Sequence, residues 1–466
     1  MEQVAFEQLI QATGGTAFRL PPGCFESIST DSRKVRPHQV FWCLKGASFN
    51  GHDFAKKAMQ QGAAACVVNT GEFPESSRFP RIEVDDTHEA LLDLAAWYRR
   101  QLEPVVIGVT GSVGKTTTRR MIFEVLATKH SGIQSPANYN NFIGVPLTVF
   151  LIESHHEFAV VELGASATGE IMELADVAVP EVGVVTAIAP AHLEGFGDIE
   201  KVIQAKGELV EAIPESGFVV LNGDDENVRS LAGRCSGNVI FVGENENNDI
   251  RATNVAASFG QLSFTASGFD FCVPATGRHY LTSALAAVAV AQEIGVEPYE
   301  INDGLSMFTP ASGRCEMTHV GRMTLIDDTY NSNPASLNAA ADLLGNWCEP
   351  ARRVLITGDM KELGNRAEDL HYITGEHIGR TGIDALISYG DYADDIADGA
   401  IDAGMDSWRI AACPSREILN LTLDCWLKPD DVVLVKGSRS THMEKVVEWI
   451  QQRCGGQSSA TRRRAA

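Results

Sequence analysis

The sequence has no basic excess, no long apolar run and no closely paired cysteines, and each absence removes a class of function. Lys and Arg number 38 against 61 Asp and Glu, a formal net charge of −23. A chain that binds nucleic acid through its phosphates needs a basic face, and so does one that docks on an anionic membrane. The longest apolar stretch, around residues 284–291, is far short of the roughly 18 residues that a membrane span requires. The first fifteen residues include Glu2 and Glu7 and show no basic segment leading into an apolar one, so no secretory leader is read and a cytoplasmic location is expected. Ten cysteines run from Cys24 to Cys454 without a C-x-x-C pair. That spacing argues against a disulfide framework or a cysteine zinc site and predicts reduced, mostly buried thiols.

What is present suits a soluble globular protein: 44% hydrophobic and 21% charged residues. At roughly 150 residues per domain, 466 residues suggest three domains. The first, 1–104, holds short β-like runs at 40–44 and 64–68 and a closing helix at 89–101. After Glu103-Pro104 comes a β-branched run at 105–109, read as a buried strand entering a Gly-rich turn and a helix. The second domain, 105–311, alternates strands at 158–163, 182–188 and 218–221 with helical segments, the pattern of a mostly parallel α/β sheet; its last helix is placed at 282–294, before a linker at 308–313. The third, 312–466, repeats the alternation with strands at 353–357, 385–389 and 431–435 and ends in a tail expected to fray. The acid excess is concentrated in the middle third.

Thr110-Gly111-Ser112-Val113-Gly114-Lys115-Thr116-Thr117 follows the predicted strand and opens the predicted helix. Glycines let backbone N–H groups turn toward a phosphate, the helix N-terminus adds positive potential, Lys115 neutralises terminal phosphate charge, and the Thr116 hydroxyl can ligate Mg²⁺. The commonest phosphate loop carries Gly five residues before Gly114, where this chain has Val109, although Gly108 and Gly111 flank the gap. The loop points to ATP or GTP without saying what is done with it.

Further polar groups stand at predicted strand ends, where ligands collect in parallel sheets. Glu162 ends a hydrophobic run and His192 follows another; both suit metal ligation, Glu162 better because Mg²⁺ prefers oxygen. Lys206 reads from periodicity as a surface helix lysine. Asp327 and Asp328 could accept ribose hydroxyls, and Gly313-Arg314 and Lys436-Gly-Ser-Arg439 put cations in loops suited to phosphate or carboxylate, with helix caps or solvated loops as the plainer alternative. Gly358-Asp-Met-Lys-Glu-Leu-Gly364 sits at the same edge.

Together, the phosphate loop, Glu162 in Val-Glu-Leu-Gly-Ala-Ser, His192, Ala-Lys206-Gly-Glu, Gly313-Arg314 and Lys436-Gly-Ser-Arg439 resemble the Mur ligases of peptidoglycan synthesis. Asp327-Asp-Thr-Tyr-Asn-Ser-Asn-Pro334 and the 358–364 segment are similar to the members that add D-alanyl-D-alanine. Ser29-Thr-Asp-Ser-Arg33 and Leu44-Lys-Gly46 resemble those enzymes' UDP-sugar-binding domain. The resemblance covers all three thirds. It implies a three-domain α/β architecture: a small α/β amino-terminal domain, a central P-loop parallel-sheet ATPase domain, and a C-terminal Rossmann-like domain binding the dipeptide and part of ATP.

The resemblance further implies an ATP-dependent ligase joining D-alanyl-D-alanine to UDP-N-acetylmuramoyl-tripeptide; no nucleic-acid or membrane partner is expected from the charge balance, and a monomer is the default expectation. Lys115, Lys206 and His192 would be catalytic. Residues 110–117, Arg314 and Asp328 would bind ATP. Two Mg²⁺ ions would be held by Thr116, Glu162, His192 and a carbamylated Lys206. Ser32, Arg33, Lys45, Asn138, Asn140, Asn141, Asn331, Asn333, Ser438 and Arg439 would face the other substrates. Ser283 stands where the family carries an Asn that contacts adenine, and His38 where Gly is usual. A sister ligase adding a single amino acid, and a nucleotide-dependent binding module without ligase activity, are the alternative functions.

Overall fold

A computed structural model describes residues 1–455 apart from 47, 75, 259, 348 and 349; the tail expected to fray lies almost wholly outside the described residues. The first sheet has the order Thr16–Phe18, Arg81–Val84, Ala65–Asn69, Gln39–Trp42, Ser27–Ser29, parallel except for its first strand. The helix Thr87–Arg99, capped by Asp86, fastens this unit to the next. Tyr98 Oη donates to the Ile152 carbonyl at 2.7 Å, and Arg99 Nε to that of Ala178 at 2.9 Å. His38 has φ 65, the left-handed conformation that glycine adopts freely.

The central sheet is wholly parallel, in the order Ile250–Arg251, Asn238–Gly243, Phe218–Asn222, Val182–Val185, Val105–Thr110, Phe158–Glu162, Gly132–Gln134. Val105–Thr110 is the point where strand order reverses, so the loop after it opens into the crevice where open α/β sheets bind ligands. Its central strands, Val105–Thr110, Phe158–Glu162 and Val182–Val185, are buried on both faces almost throughout, which is why they read as continuous apolar runs.

Two elements depart from expectation. An antiparallel meander, Thr253–Ser258, Gln261–Ala266 and Phe269–Val273, interrupts the α/β alternation. The central unit also does not end at the Ala-rich helix Leu281–Ile294: a further helix, Pro298–Ser306, follows, its first turn preset by Pro298 and closed by Glu300 accepting from the Glu297 N–H at 2.9 Å. Both helices pack on Lys115–Leu126. The second comes so close that a Cβ on Gly304 would stand 2.4 Å from Val125 Cα.

The third sheet has the order Glu316–Val320, Met323–Asp328, Val432–Lys436, Arg353–Gly358, Ala385–Tyr389, Ile410–Cys413, parallel except for its first strand. The cysteines with described side chains are free thiols, but Cys24 and Cys425 are exposed, so burial is less general than composition suggests. Among the described residues no helix is long and apolar enough to cross a membrane.

Candidate active site at the phosphate loop

The phosphate loop is braced from the neighbouring strand. Ser112 N–H donates to the Ala187 carbonyl at 2.7 Å, Ser112 Oγ to that of Ala189 at 2.9 Å, and Thr186 Oγ1 to that of Val113 at 2.5 Å. These contacts end the strand Val182–Val185 before residue 188, shorter than its apolar run predicts. Gly111 has φ 146, and a Cβ there would lie 2.1 Å from Thr186 Oγ1, so only glycine fits. Lys115 opens the helix Lys115–Leu126 and folds back to donate to the Gly111 carbonyl at 2.7 Å. Burial pulls its pKa down, with Glu162 opposing.

The loop forms one wall of a cavity of about 760 Å³ between the central and C-terminal units. Thr116 Oγ1 donates to Glu162 Oε2 at 2.9 Å, and Asn140 Nδ2 donates to Glu162 Oε1 at 2.9 Å. From the C-terminal side, Arg314 Nη2 donates to Thr116 Oγ1 at 3.1 Å while its guanidinium lies 4.1 Å from the Tyr330 ring centroid. Lys436 Nζ bonds Asp328 Oδ2 at 2.6 Å. His192 hydrogen bonds through Nδ1 to Glu362.

Lys206 is not on the surface, as its helical periodicity suggested. It is 2% exposed, on the face of Ile199–Ala212 that also buries Ala205, Leu209 and Val210, and its ammonium nitrogen lies 5.5 Å from the Phe196 ring centroid. No hydrogen bond or ion pair holds this amine among the described residues. Burial, reinforced by the Lys115 charge and opposed by Glu208 and Glu170, brings its pKa down to about 7. The neighbouring Glu208 is spent elsewhere, accepting from the N–H groups of Gly169, Ile171 and Met172 at the start of the helix Glu170–Ala178.

Three family profiles match the chain: the Mur ligase family catalytic domain over residues 25–99, the Mur ligase middle domain over 109–291 and the Mur ligase glutamate ligase domain over 313–439. A UDP-N-acetylmuramoyl-tripeptide–D-alanyl-D-alanine ligase of Escherichia coli K12 is 35% identical over 92% of this chain and 94% of its own length. The chain belongs to the Mur ligase family. A crystal structure of MurF from Acinetobacter baumannii superposes with TM-score 0.89 at 29% identity, covering 97% of this chain and all of the other. The MurF ligase of Thermotoga maritima, crystallised with ADP, gives TM-score 0.80 at 28% identity over 93% and 98% of the two chains.

In this Mur ligase the cavity brings together residues 112–117, Asn138, Asn140, Glu162, His192, Arg314, Asp328, Asn331, Asn333, Ser438 and Arg439. Others named from the sequence lie elsewhere. Thr110 is fully buried and donates to the Leu163 carbonyl at 2.8 Å. Asn141 Oδ1 accepts from the N–H groups of Ile143 and Gly144, and Asn333 Oδ1, though at the cavity, caps Pro334–Gly345 by accepting from Ser336 N–H at 2.9 Å. Asp327 is turned away, accepting from Thr329 Oγ1 at 2.6 Å. Ser32, Arg33 and Lys45 belong to the first unit, Ser32 buried and Arg33 paired with Asp31 at 2.9 Å. Ser283, which replaces the family's Asn, lines the cavity and accepts from Thr118 Oγ1 at 2.8 Å.

Sequence reasoning missed Lys361, Glu362 and Tyr330 at the cavity wall. The 358–364 segment for Lys361 and Glu362, and the 327–334 segment for Tyr330, were the available signals, each following a strand of the C-terminal sheet, but their spacing does not say which side chain turns inward.

Proposed function

We propose that this Mur ligase joins D-alanyl-D-alanine to UDP-N-acetylmuramoyl-tripeptide at the expense of ATP, as a peptidoglycan precursor enzyme of the cytoplasm. The observation that carries the reading is the cavity itself: a phosphate loop with Lys115 and Thr116 on one wall, and Arg314, Ser438 and Arg439 from the C-terminal unit on the other. It is supported by relatives of that name aligned over nearly the whole chain.

The donor set fits Mg²⁺. Glu162 and Thr116 offer oxygens within 2.9 Å of each other, and the unpartnered, readily neutral Lys206 amine is in the state that reacts with CO₂ to give a carbamate, a further oxygen donor. Thr116, Glu162, His192 and carbamylated Lys206 are the proposed ligands, and bound Mg²⁺ would neutralise phosphate charge.

An amide needs an activated carboxylate. The terminal carboxylate oxygen of the tripeptide attacks the γ-phosphorus of ATP, the bond to the ADP oxygen breaks, and an acyl phosphate forms. Lys115 and Arg314 face the charge that spreads over the transferring group. The free amine of the dipeptide then adds to the acyl carbon, loses a proton and expels phosphate. Phosphate is a good leaving group, so positioning dominates, and the division of the cavity between two units serves it. Asn138 and Asn140 are proposed to face the UDP-linked tripeptide, the acyl donor, with Ser32, Arg33 and Lys45 proposed for the UDP-sugar.

Phosphate release with UDP-muramoyl-tripeptide is expected with D-alanyl-D-alanine and not with single amino acids. Turnover with single amino acids alone would make it a sister ligase, and none with any acceptor would make it a binding module.

A further inference from the structure

Among the described residues, the C-terminal unit hydrogen-bonds His192 from the loop after the strand Arg353–Gly358. A Glu362 carboxylate oxygen accepts from His192 Nδ1, and the Glu362 carbonyl accepts from Glu194 N–H at 3.1 Å. Both residues are left-handed, Glu362 at φ 63 and His192 at φ 54. A non-glycine residue in that conformation costs about 1–2 kcal/mol and persists where its surroundings over-determine it. Here the two strained residues meet each other.

The loop is fixed to its own unit. Met360 N–H donates to His371 Nε2 at 2.8 Å, Lys361 N–H to Ser438 Oγ at 2.8 Å, and Lys361 Nζ to Asp359 at 2.8 Å. Glu362 therefore stands where the C-terminal unit stands, and the His192 contact exists only when that unit is docked. A carboxylate acceptor at Nδ1 puts the ring proton there and leaves Nε2 with its lone pair, the arrangement that outer partners impose on metal-ligating histidines. The pair is too exposed, 37% and 58% for the two side chains, to matter much for stability. Its value lies in orientation.

We propose that Glu362 is a positioning residue which, on docking of the C-terminal unit, fixes the His192 tautomer and aims Nε2 at the second divalent cation, so that this cation is held tightly only in the docked enzyme. The inference rests on the reading of His192 as a ligand, and the test separates the two.

Mn²⁺ binding to the full chain is followed by electron paramagnetic resonance of the free ion, in bicarbonate buffer with a non-hydrolysable ATP analogue and UDP-muramoyl-tripeptide. Glu362→Ala is expected to weaken the second Mn²⁺ by 10- to 100-fold, the usual cost of losing an outer partner, while the first ion and the unfolding temperature stay unchanged. Glu362→Gln, whose amide oxygen still accepts from Nδ1–H, should recover most of that affinity. His192→Ala should lose the second ion. Wild-type affinity in Glu362→Ala alongside loss in His192→Ala overturns the positioning role but leaves the ligand. Two tightly bound ions in His192→Ala overturn both. Equal weakening in the Ala and Gln variants also overturns the tautomer argument.

Discussion

Lys436 and Asp328 sit opposite each other on adjacent parallel strands, and their side chains close a 2.6 Å ion pair at the cavity floor. Lys436 is 2% exposed and also donates to the Asn331 carbonyl at 3.0 Å. Removing one member of such a pair strands the other charge in a poorly solvated place, at about 3–5 kcal/mol, whereas removing both is far cheaper. Lys436→Met should therefore destabilise the C-terminal unit by about that amount, and Lys436→Met combined with Asp328→Asn should recover most of the loss. Urea unfolding of the four members of the cycle measures it; additive losses would mean that the pair is not coupled.

Lys115 offers a prediction about chemistry rather than stability. Its ammonium already has a partner in the Gly111 carbonyl, so shortening it to alanine leaves no buried charge unpaired. Lys115→Ala should fold normally and lose ADP release by about 10³-fold or more, the scale expected when a charge that faces a phosphoryl transition state is deleted. Near-normal ADP release from the folded variant would remove the phosphate-loop assignment.

Much of this arrangement was legible because it is local. The strand Val105–Thr110 is a β-branched run, and the glycines after it leave the chain little alternative to a loop. The first strand of the meander at 253–273 was not legible, being almost wholly exposed and without alternation, although its second strand, Gln261–Ala266, does alternate. The helix Pro298–Ser306 was not read from the sequence, although a proline such as Pro298 suits a first turn. Lys206 failed because periodicity reports which face a residue occupies and not that a charged residue has been placed on the buried one. Glu362 failed because its partner is 170 residues away, and no local pattern encodes that meeting.

His38 bears on the first unit. It is exposed and stands at φ 65, so its side chain can be removed without loss of packing. The left-handed strain of about 1–2 kcal/mol exceeds the roughly 0.5–1 kcal/mol that glycine adds to the entropy of the unfolded chain. His38→Gly should stabilise by about 0.5–1 kcal/mol. Chemical denaturation of the two proteins decides it, and a less stable glycine variant would mean that the side chain makes a contribution its exposure does not suggest.

Lys206 gives the pH dependence. In protein freed of bicarbonate its pKa is about 7, against an ordinary lysine value of 10.5 in the unfolded chain. Between those values the unfolded state binds a proton that the folded state has released, so this group makes stability rise with pH from about 7 toward 10.5 and adds no slope below that window. Lys206→Met, which keeps the bulk and has no proton to bind, should lack that slope. The same neutral amine explains why the protein should take up CO₂ near neutral pH: ¹³C-labelled bicarbonate should give a carbamate resonance in the wild type and none in Lys206→Met. Activity of bicarbonate-depleted enzyme should return when bicarbonate is added back. A wild-type spectrum without the carbamate, in enzyme that is fully active, would leave Lys206 a buried amine and move the second cation's ligands to other residues.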